Sequence, residues 1–177
     1  MKRLLVMVLI LVCLSGCSKN GSEMDKALAL RNKMISGNGC RFTANITADY
    51  GDKLYSFVLA CHWDGEERLQ FEVISPNSIS GISGNISGSG GHLTFDDQVL
   101  MFEMLADGQI TPISAPWIFV KSLNSGYING CNETTDGLFL QIDDSYLEDT
   151  MQLDIRINEQ DVPISVEIVW RNKRIIS

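Results

Sequence analysis

The 177-residue chain carries 14 basic and 22 acidic side chains, a formal net charge of −8, and 45% hydrophobic residues. That length suits one domain with a sizeable core rather than two. The acidic balance excludes a nucleic-acid backbone as partner and gains nothing from an anionic membrane surface.

At the amino end, Lys2 and Arg3 precede an uninterrupted apolar run from Leu4 to Leu14, closed by the small residues Ser15 and Gly16 and then by Cys17. A positive start, a short apolar stretch and small residues at its end form a secretory signal. The run is well short of the roughly 20 residues that a spanning helix needs. Leu14-Ser15-Gly16-Cys17 resembles the bacterial lipoprotein box. The resemblance implies a signal peptide over residues 1–16, cleavage before Cys17 and a diacylglyceryl group on its sulfur. Residues 17–22 then form the lipidated tether of a single domain at 23–177. Burial of hydrocarbon contributes about 0.8 kcal/mol per methylene, so two acyl chains hold where one is marginal. The expected location is the extracytoplasmic face of the cell membrane, anchored by palmitate-type lipid on Cys17.

Past the tether, Ser22 and Asp25 have capping-box spacing, and Met24, Ala27, Leu28 and Ile35 trace one stripe before Gly37. An amphipathic helix is predicted here. Alternating runs at 41–49 and 53–63 flank Tyr50-Gly51 and read as a hairpin. With Tyr50 and Gly51 as a two-residue loop, Phe42 faces Leu59 and Cys40 faces Cys61, which places a disulfide between Cys40 and Cys61. A register two residues away keeps every side chain on its face and makes the cysteines diagonal neighbours. Cys131 is then a leftover thiol with no basic neighbour in sequence to activate it.

Residues 68–75 (RLQFEVIS) alternate as a third strand. The segment 77–91 (NSISGISGNISGSGG) has the composition of a linker, but Ile79, Ile82 and Ile86 argue for a bent strand, and it lacks the phosphate-loop and nucleophile-elbow patterns. A hairpin around Asp96-Asp97 follows, then a turn at 106–108. Ser114 as N-cap, Pro116 in the first turn and Gly126 at the stop predict a second helix, largely covered. Strands are expected at 137–143, 150–158 and 162–170, and Ile175-Ile176-Ser177 reads as the close of an edge strand or as a chain lacking its natural tail.

Two helices cannot cover both faces of so many strands, so the sheet must curl around them. The predicted class is α+β, a strongly curved antiparallel sheet or incomplete β-barrel with about two helices on its concave side. This order resembles the bacterial lipoprotein-carrier fold, the LolA/LolB-like half-barrel, and the stretch from Cys40 to Tyr127, with FEVISPNSISGI and APWI, resembles uncharacterised Gram-positive lipoproteins. The resemblance implies a non-enzymatic protein that binds an apolar small molecule or a lipidated partner. The alternative is an envelope structural or interaction protein with a filled core. Phe57, Phe71, Phe95 and Trp117 are candidates to line a pocket, against the competing expectation that they fill the core.

The remaining polar groups point to no cofactor. His62 and His92 lack a second ligand at metal-binding spacing. The carboxylate pairs Asp96-Asp97, Asp143-Asp144 and Glu148-Asp149 lie in predicted turns and lack a calcium-loop pattern.

Overall fold

The computed structural model of the chain describes residues 19–106, 109–146, 149–171 and 173–177. The signal peptide and Cys17 expected from the sequence lie outside them. Helix α1 (Lys19–Ile35) leads into a meander of β1 (Cys40–Asp49), β2 (Leu54–Trp63), β3 (Leu69–Ser75), β4 (Ser83–Ser87), β5 (Gly90–Phe95) and β6 (Gln98–Phe102). A small hairpin, β7 (Leu105–Ala106) and β8 (Gln109–Ile110), passes through a 3₁₀ turn at Pro112–Ser114 into helix α2 (Ala115–Ser125). A second meander follows: β9 (Tyr127–Thr134), β10 (Gly137–Tyr146), β11 (Asp149–Asn158), β12 (Pro163–Trp170) and β13 (Lys173–Ile176).

Eleven of these strands form one antiparallel sheet, ordered β6-β5-β4-β3-β2-β1-β13-β12-β11-β10-β9. β6 and β9 are therefore its two edges, and the sheet is not closed into a barrel. Alternation sets its faces. Ile46 and Ala48 of β1, Leu59, Cys61 and Trp63 of β2, Leu69, Phe71 and Val73 of β3, and Leu140, Ile142, Leu153 and Ile155 of β10 and β11 are buried on the concave side. The intervening residues face out, as one-sided burial of an antiparallel sheet requires.

The expected register of the first hairpin is corrected by two residues. β1 and β2 are joined by a four-residue turn, Tyr50 to Lys53, in which the Tyr50 N–H donates to the Lys53 carbonyl at 3.0 Å and the Gly51 N–H to Asp49 Oδ1 at 2.8 Å. Cys40 consequently pairs with Trp63, and Cys61 with Phe42. The two cysteines are diagonal neighbours with free thiols. Diagonal positions lie roughly 7–8 Å apart, beyond the usual Cα separation of a disulfide. The geometry that placed a Cys40–Cys61 bridge thus belongs to a register the turn does not adopt.

The first helix begins at Lys19, upstream of the expected cap at Ser22, and its buried stripe is Met24, Ala27, Leu30 and Met34 rather than one through Leu28 and Ile35, which are exposed. Arg31 shares that buried face. Its Nε donates to the Leu123 carbonyl at 2.8 Å and its Nη2 to the Gly126 carbonyl at 2.7 Å. A guanidinium thereby satisfies carbonyls left without partners at the α2 carboxyl end and meets the negative end of its dipole. Arg31→Ala is expected to cost about 1.5 kcal/mol, read as a lower urea midpoint. A loss below about 0.3 kcal/mol would count against this role.

Helix α2 lies against the concave face. Trp117 Nε1 donates to the Glu67 carbonyl at 2.9 Å, and Phe119 packs edge-on against Phe42 with centroids 6.1 Å apart. Ser114 does not cap this helix: the 3₁₀ turn has already wound the backbone to φ −81° and ψ −14° there, and the buried hydroxyl has no partner among the described residues. Trp117, Ile118, Val120 and Leu123 are all buried, as expected of a covered helix.

β13 is central, not an edge. It pairs with β12 on one side and with β1 on the other, where the contact is confined to Ala48 opposite Ile176 and a mutual exchange of N–H···O bonds between Thr47 and Ser177 at 2.7 and 2.9 Å. Beside this contact, β1 and β12 face one another across a gap. The space between them is a slot of about 380 Å³ with α2 at its floor, lined by Phe42, Ala44 and Ile46 from β1, Pro116 and Phe119 from α2, and Val166 from β12 among others.

Candidate functional site

A larger apolar groove, about 580 Å³, runs along the concave side near the start of β2. Tyr55 and Phe57 of β2, Val73 of β3, Leu93 of β5, and Ile79 and Ile82 from the chain before β4 form much of its wall. The segment from β7 to the 3₁₀ turn closes one side with Ile110 and Ile113, while Asp52 and Lys53 lie at its rim.

Why these side chains converge follows from two local devices. Asp96 and Asp97 adopt positive φ of 46° and 62°, the paired left-handed conformation of a tight hairpin turn, which folds β6 back on β5 and fixes Leu93 inward. The β7–β8 segment is then pinned across the groove. The Tyr50 hydroxyl donates to the Ile110 carbonyl, the Thr111 N–H to the Met104 carbonyl at 2.8 Å, and Thr111 Oγ1 to the Glu103 carbonyl at 2.9 Å. Tyr50 also packs edge-on against Tyr55 with centroids 5.9 Å apart. Burial, with a smaller contribution from Tyr55, pushes the Tyr50 phenol up to about 12, so it remains a proton donor at neutral pH. The site thus combines a hydrocarbon wall with a short polar rim, a surface that suits an amphiphile.

The aromatic candidates separate on this geometry. Phe57 lines the groove. Phe71 and Trp117 are core residues, each less than a tenth exposed, and Phe95 lies exposed at the tip of the β5–β6 hairpin. Tyr50, Ile110 and Ile113 belong to the groove without having been singled out in sequence. Only the fold brings residues so distant in the chain together.

Among the described residues the thiols Cys40, Cys61 and Cys131 all have their pKa raised. Burial, and then Cys40, pushes the Cys61 thiol up to about 12, while burial and the neighbouring Glu23 and Glu133 push Cys131 up to about 11. Thiols so raised stay protonated at neutral pH. Cys131 instead donates to the Glu23 carbonyl at 3.1 Å, tying β9 to α1. The two histidines stand in one transverse row on the outer face, Arg41, His62, Gln70, Asn85 and His92 at successive paired positions, with two strands between them. His62 is 3.5 Å from Gln70 and His92 is 3.2 Å from Asn85. Among the described residues no three His, Cys, Asp or Glu side chains gather to hold a metal ion. Asp143 and Asp144 point to opposite faces, as adjacent strand residues must. Glu148 lies outside the described residues. No described helix is long and apolar enough to cross a membrane.

No protein-family model matches the chain, and no curated protein matches it significantly. Among solved structures it is similar to an uncharacterised conserved protein of Thermus thermophilus, at 12% identity and TM-score 0.44, over 87% of this chain and 83% of that one. It is also similar to a protein of Nitrosomonas europaea described as a LolA superfamily protein, at 13% identity and TM-score 0.43, over 84% of this chain and 74% of that one. A third likeness is to the CwlD amidase of Clostridioides difficile in complex with the GerS lipoprotein, at 13% identity and TM-score 0.36, over 89% of each chain.

Proposed function

We propose that the chain is a non-enzymatic lipoprotein, tethered to the outer face of a membrane through an acylated Cys17, that holds an apolar small molecule or the lipid of a modified partner in the concave-side groove. The observation that carries this reading is the groove itself. Its volume of about 580 Å³ falls within the range typical of small-molecule sites, and aliphatic and aromatic side chains predominate in its lining. An acyl chain laid there would leave its head group near Asp52 and Lys53. The tether rests on a different observation, the short apolar run ending in Leu14-Ser15-Gly16-Cys17, and it would keep such a site within reach of lipid.

The test is binding of a fluorescent fatty acid to protein purified without detergent. Saturable binding is expected, and Phe57→Asp, which sets a charge in the groove wall, should weaken it at least about ten-fold, because three or four methylenes at about 0.8 kcal/mol each lose an apolar contact. An empty protein that ignores the probe would leave the filled-core alternative. Attachment is tested separately: Cys17→Ser should release the protein from membranes and abolish incorporation of labelled palmitate.

A further inference from the structure

The two edges of the sheet are finished differently. β9 is polar, and α1 is tied alongside it where Cys131 donates to the Glu23 carbonyl and Lys26 pairs with Glu133. β6 reads Gln98-Val99-Leu100-Met101-Phe102, holds no charge, and leaves Val99, Leu100 and Met101 60%, 60% and 79% exposed. Edge strands ordinarily carry a lysine, a proline or a bulge that discourages pairing, and β6 pairs with β5 residue for residue without one. Its backbone is open as well. The turn at Asp96-Asp97 closes on the hydrogen-bonded pair Phe95 and Gln98, so by alternation Leu100 and Phe102 also bond to β5, while Val99 and Met101 turn their N–H and C=O groups outward. Among the described residues no strand meets them.

Charge selects the occupant. Asp96 and Asp97 stand at one end of β6 and Glu103 at the other, and none of the three is ion-paired with a described residue. A second copy of the chain would fit the backbone, since Val99 and Met101 would exchange bonds with Met101 and Val99 of another β6. That register also sets Asp97 opposite Glu103 at both ends, between two bodies that are each acidic. Like charges directly opposite destabilise a strand pair, whereas opposite charges there stabilise it. A segment with an apolar centre and basic residues at its ends meets every group that β6 presents.

We propose that β6 is a docking edge for an extended segment of a partner protein, in which a short apolar centre is flanked on each side by lysine or arginine. The segment lies antiparallel to β6, the more stable pairing. It sets its apolar residues beside Val99 and Met101 on the convex face and beside Leu100 on the concave one. Main-chain hydrogen bonds supply the affinity, and the flanking charges supply specificity and steer the approach to an acidic surface. This edge is distinct from the apolar groove and does not depend on what the groove holds.

The test uses the full chain and a fluorescent, end-capped peptide of sequence KTVIVTK. Saturable binding by anisotropy is expected, with slowed amide exchange at Val99 and Met101. Methylating the peptide's backbone nitrogens, or exchanging its lysines for glutamates, should weaken binding at least about ten-fold. Val99→Pro removes a donor that faces only the edge and should weaken binding by a similar factor. Asp97→Asn with Glu103→Gln removes the flanking charge while asparagine keeps the left-handed turn, and should weaken it about five-fold at low salt. Both proteins should retain their fold by circular dichroism. Absence of binding, equal affinity for either altered peptide, or indifference to both substitutions would overturn the proposal. So would a dimer that Val99→Pro dissolves, which assigns the edge to a second copy. Slow exchange at Val99 and Met101 in the monomer before peptide is added would overturn it too, by assigning the edge to another part of this chain.

Discussion

Asp144→Ala is expected to lower the unfolding free energy by about 3 kcal/mol. Asp144 continues the inward row Leu138, Leu140, Ile142 of β10, and its side chain is only 9% exposed. Lys121 Nζ donates to its two oxygens at 2.6 and 2.8 Å, and the buried Ser122 hydroxyl donates to Oδ2 at 2.6 Å. Both donors belong to α2, so one carboxylate clamps that helix to the sheet. Removing it strands a one-third-exposed ammonium and a buried hydroxyl, and the remaining solvent around Lys121 keeps the loss at the low end for a broken buried pair. Replacing both partners with apolar residues, Lys121→Met with Asp144→Leu, should recover more than half of the loss, because no charge is then left unpaired.

The same clamp sets a pH dependence. Burial alone would raise the Asp144 carboxyl, but donation from Lys121, Ser122 and the Ser145 N–H outweighs it and holds the group below its ordinary value of 3.8. A depressed folded pKa means that this contribution is complete above the unfolded value of about 3.9 and is lost as pH falls through the folded one. Urea titrations should therefore show the penalty of Asp144→Ala at pH 7 shrinking below about pH 4. A penalty under about 1 kcal/mol, or one indifferent to pH, would remove the clamp from the account of stability.

Gly84→Ala should be nearly as damaging, at about 2–3 kcal/mol. Gly84 lies on the concave face of β4, paired with Phe71 on one side and Leu93 on the other. A Cβ there would stand 2.1 Å from the His92 carbonyl oxygen and 2.8 Å from Phe71 Cζ. The Phe71 ring thus occupies the space a side chain at 84 would need, and Phe102 does the same over Gly91, where a Cβ would fall 2.5 Å from its Cζ. Large rings lying over bare strand backbone let a sheet bend without leaving a void. Gly88→Ala is the internal control: its methyl would meet only the Trp117 ring, at 3.8 Å, and should change stability by less than about 0.5 kcal/mol. Thermal melts of the two variants should differ clearly, and equal melts would count against the packing role of Gly84.

These glycines show what was legible in the sequence and what was not. The isoleucines of 77–91 argued against a linker, yet Ile79 belongs to a turn, and the segment holds that turn, β4 and the first residues of β5 rather than one bent strand. Parity identifies faces but carries no information on where a chain reverses. The first hairpin teaches the same lesson: alternation placed Phe42, Ala44 and Ile46 on one face, but shifting the register by two changed every partner without changing any face. β9 escaped notice because its sequence, YINGCNET, is polar and holds a glycine, as an edge strand tolerates. Curvature of the sheet around two helices was foreseeable from the ratio of strands to helices. The slot was not, since its walls come from strands more than a hundred residues apart in the chain.

β13 has one more consequence. Each meander is built from neighbours in sequence, whereas the two are sewn together at Thr47 and Ser177, 130 positions apart. Closing so long a loop is entropically dearer than zipping a hairpin, and local pairings are made first. The two wings are therefore expected to assemble separately and to meet last where β13 joins β1.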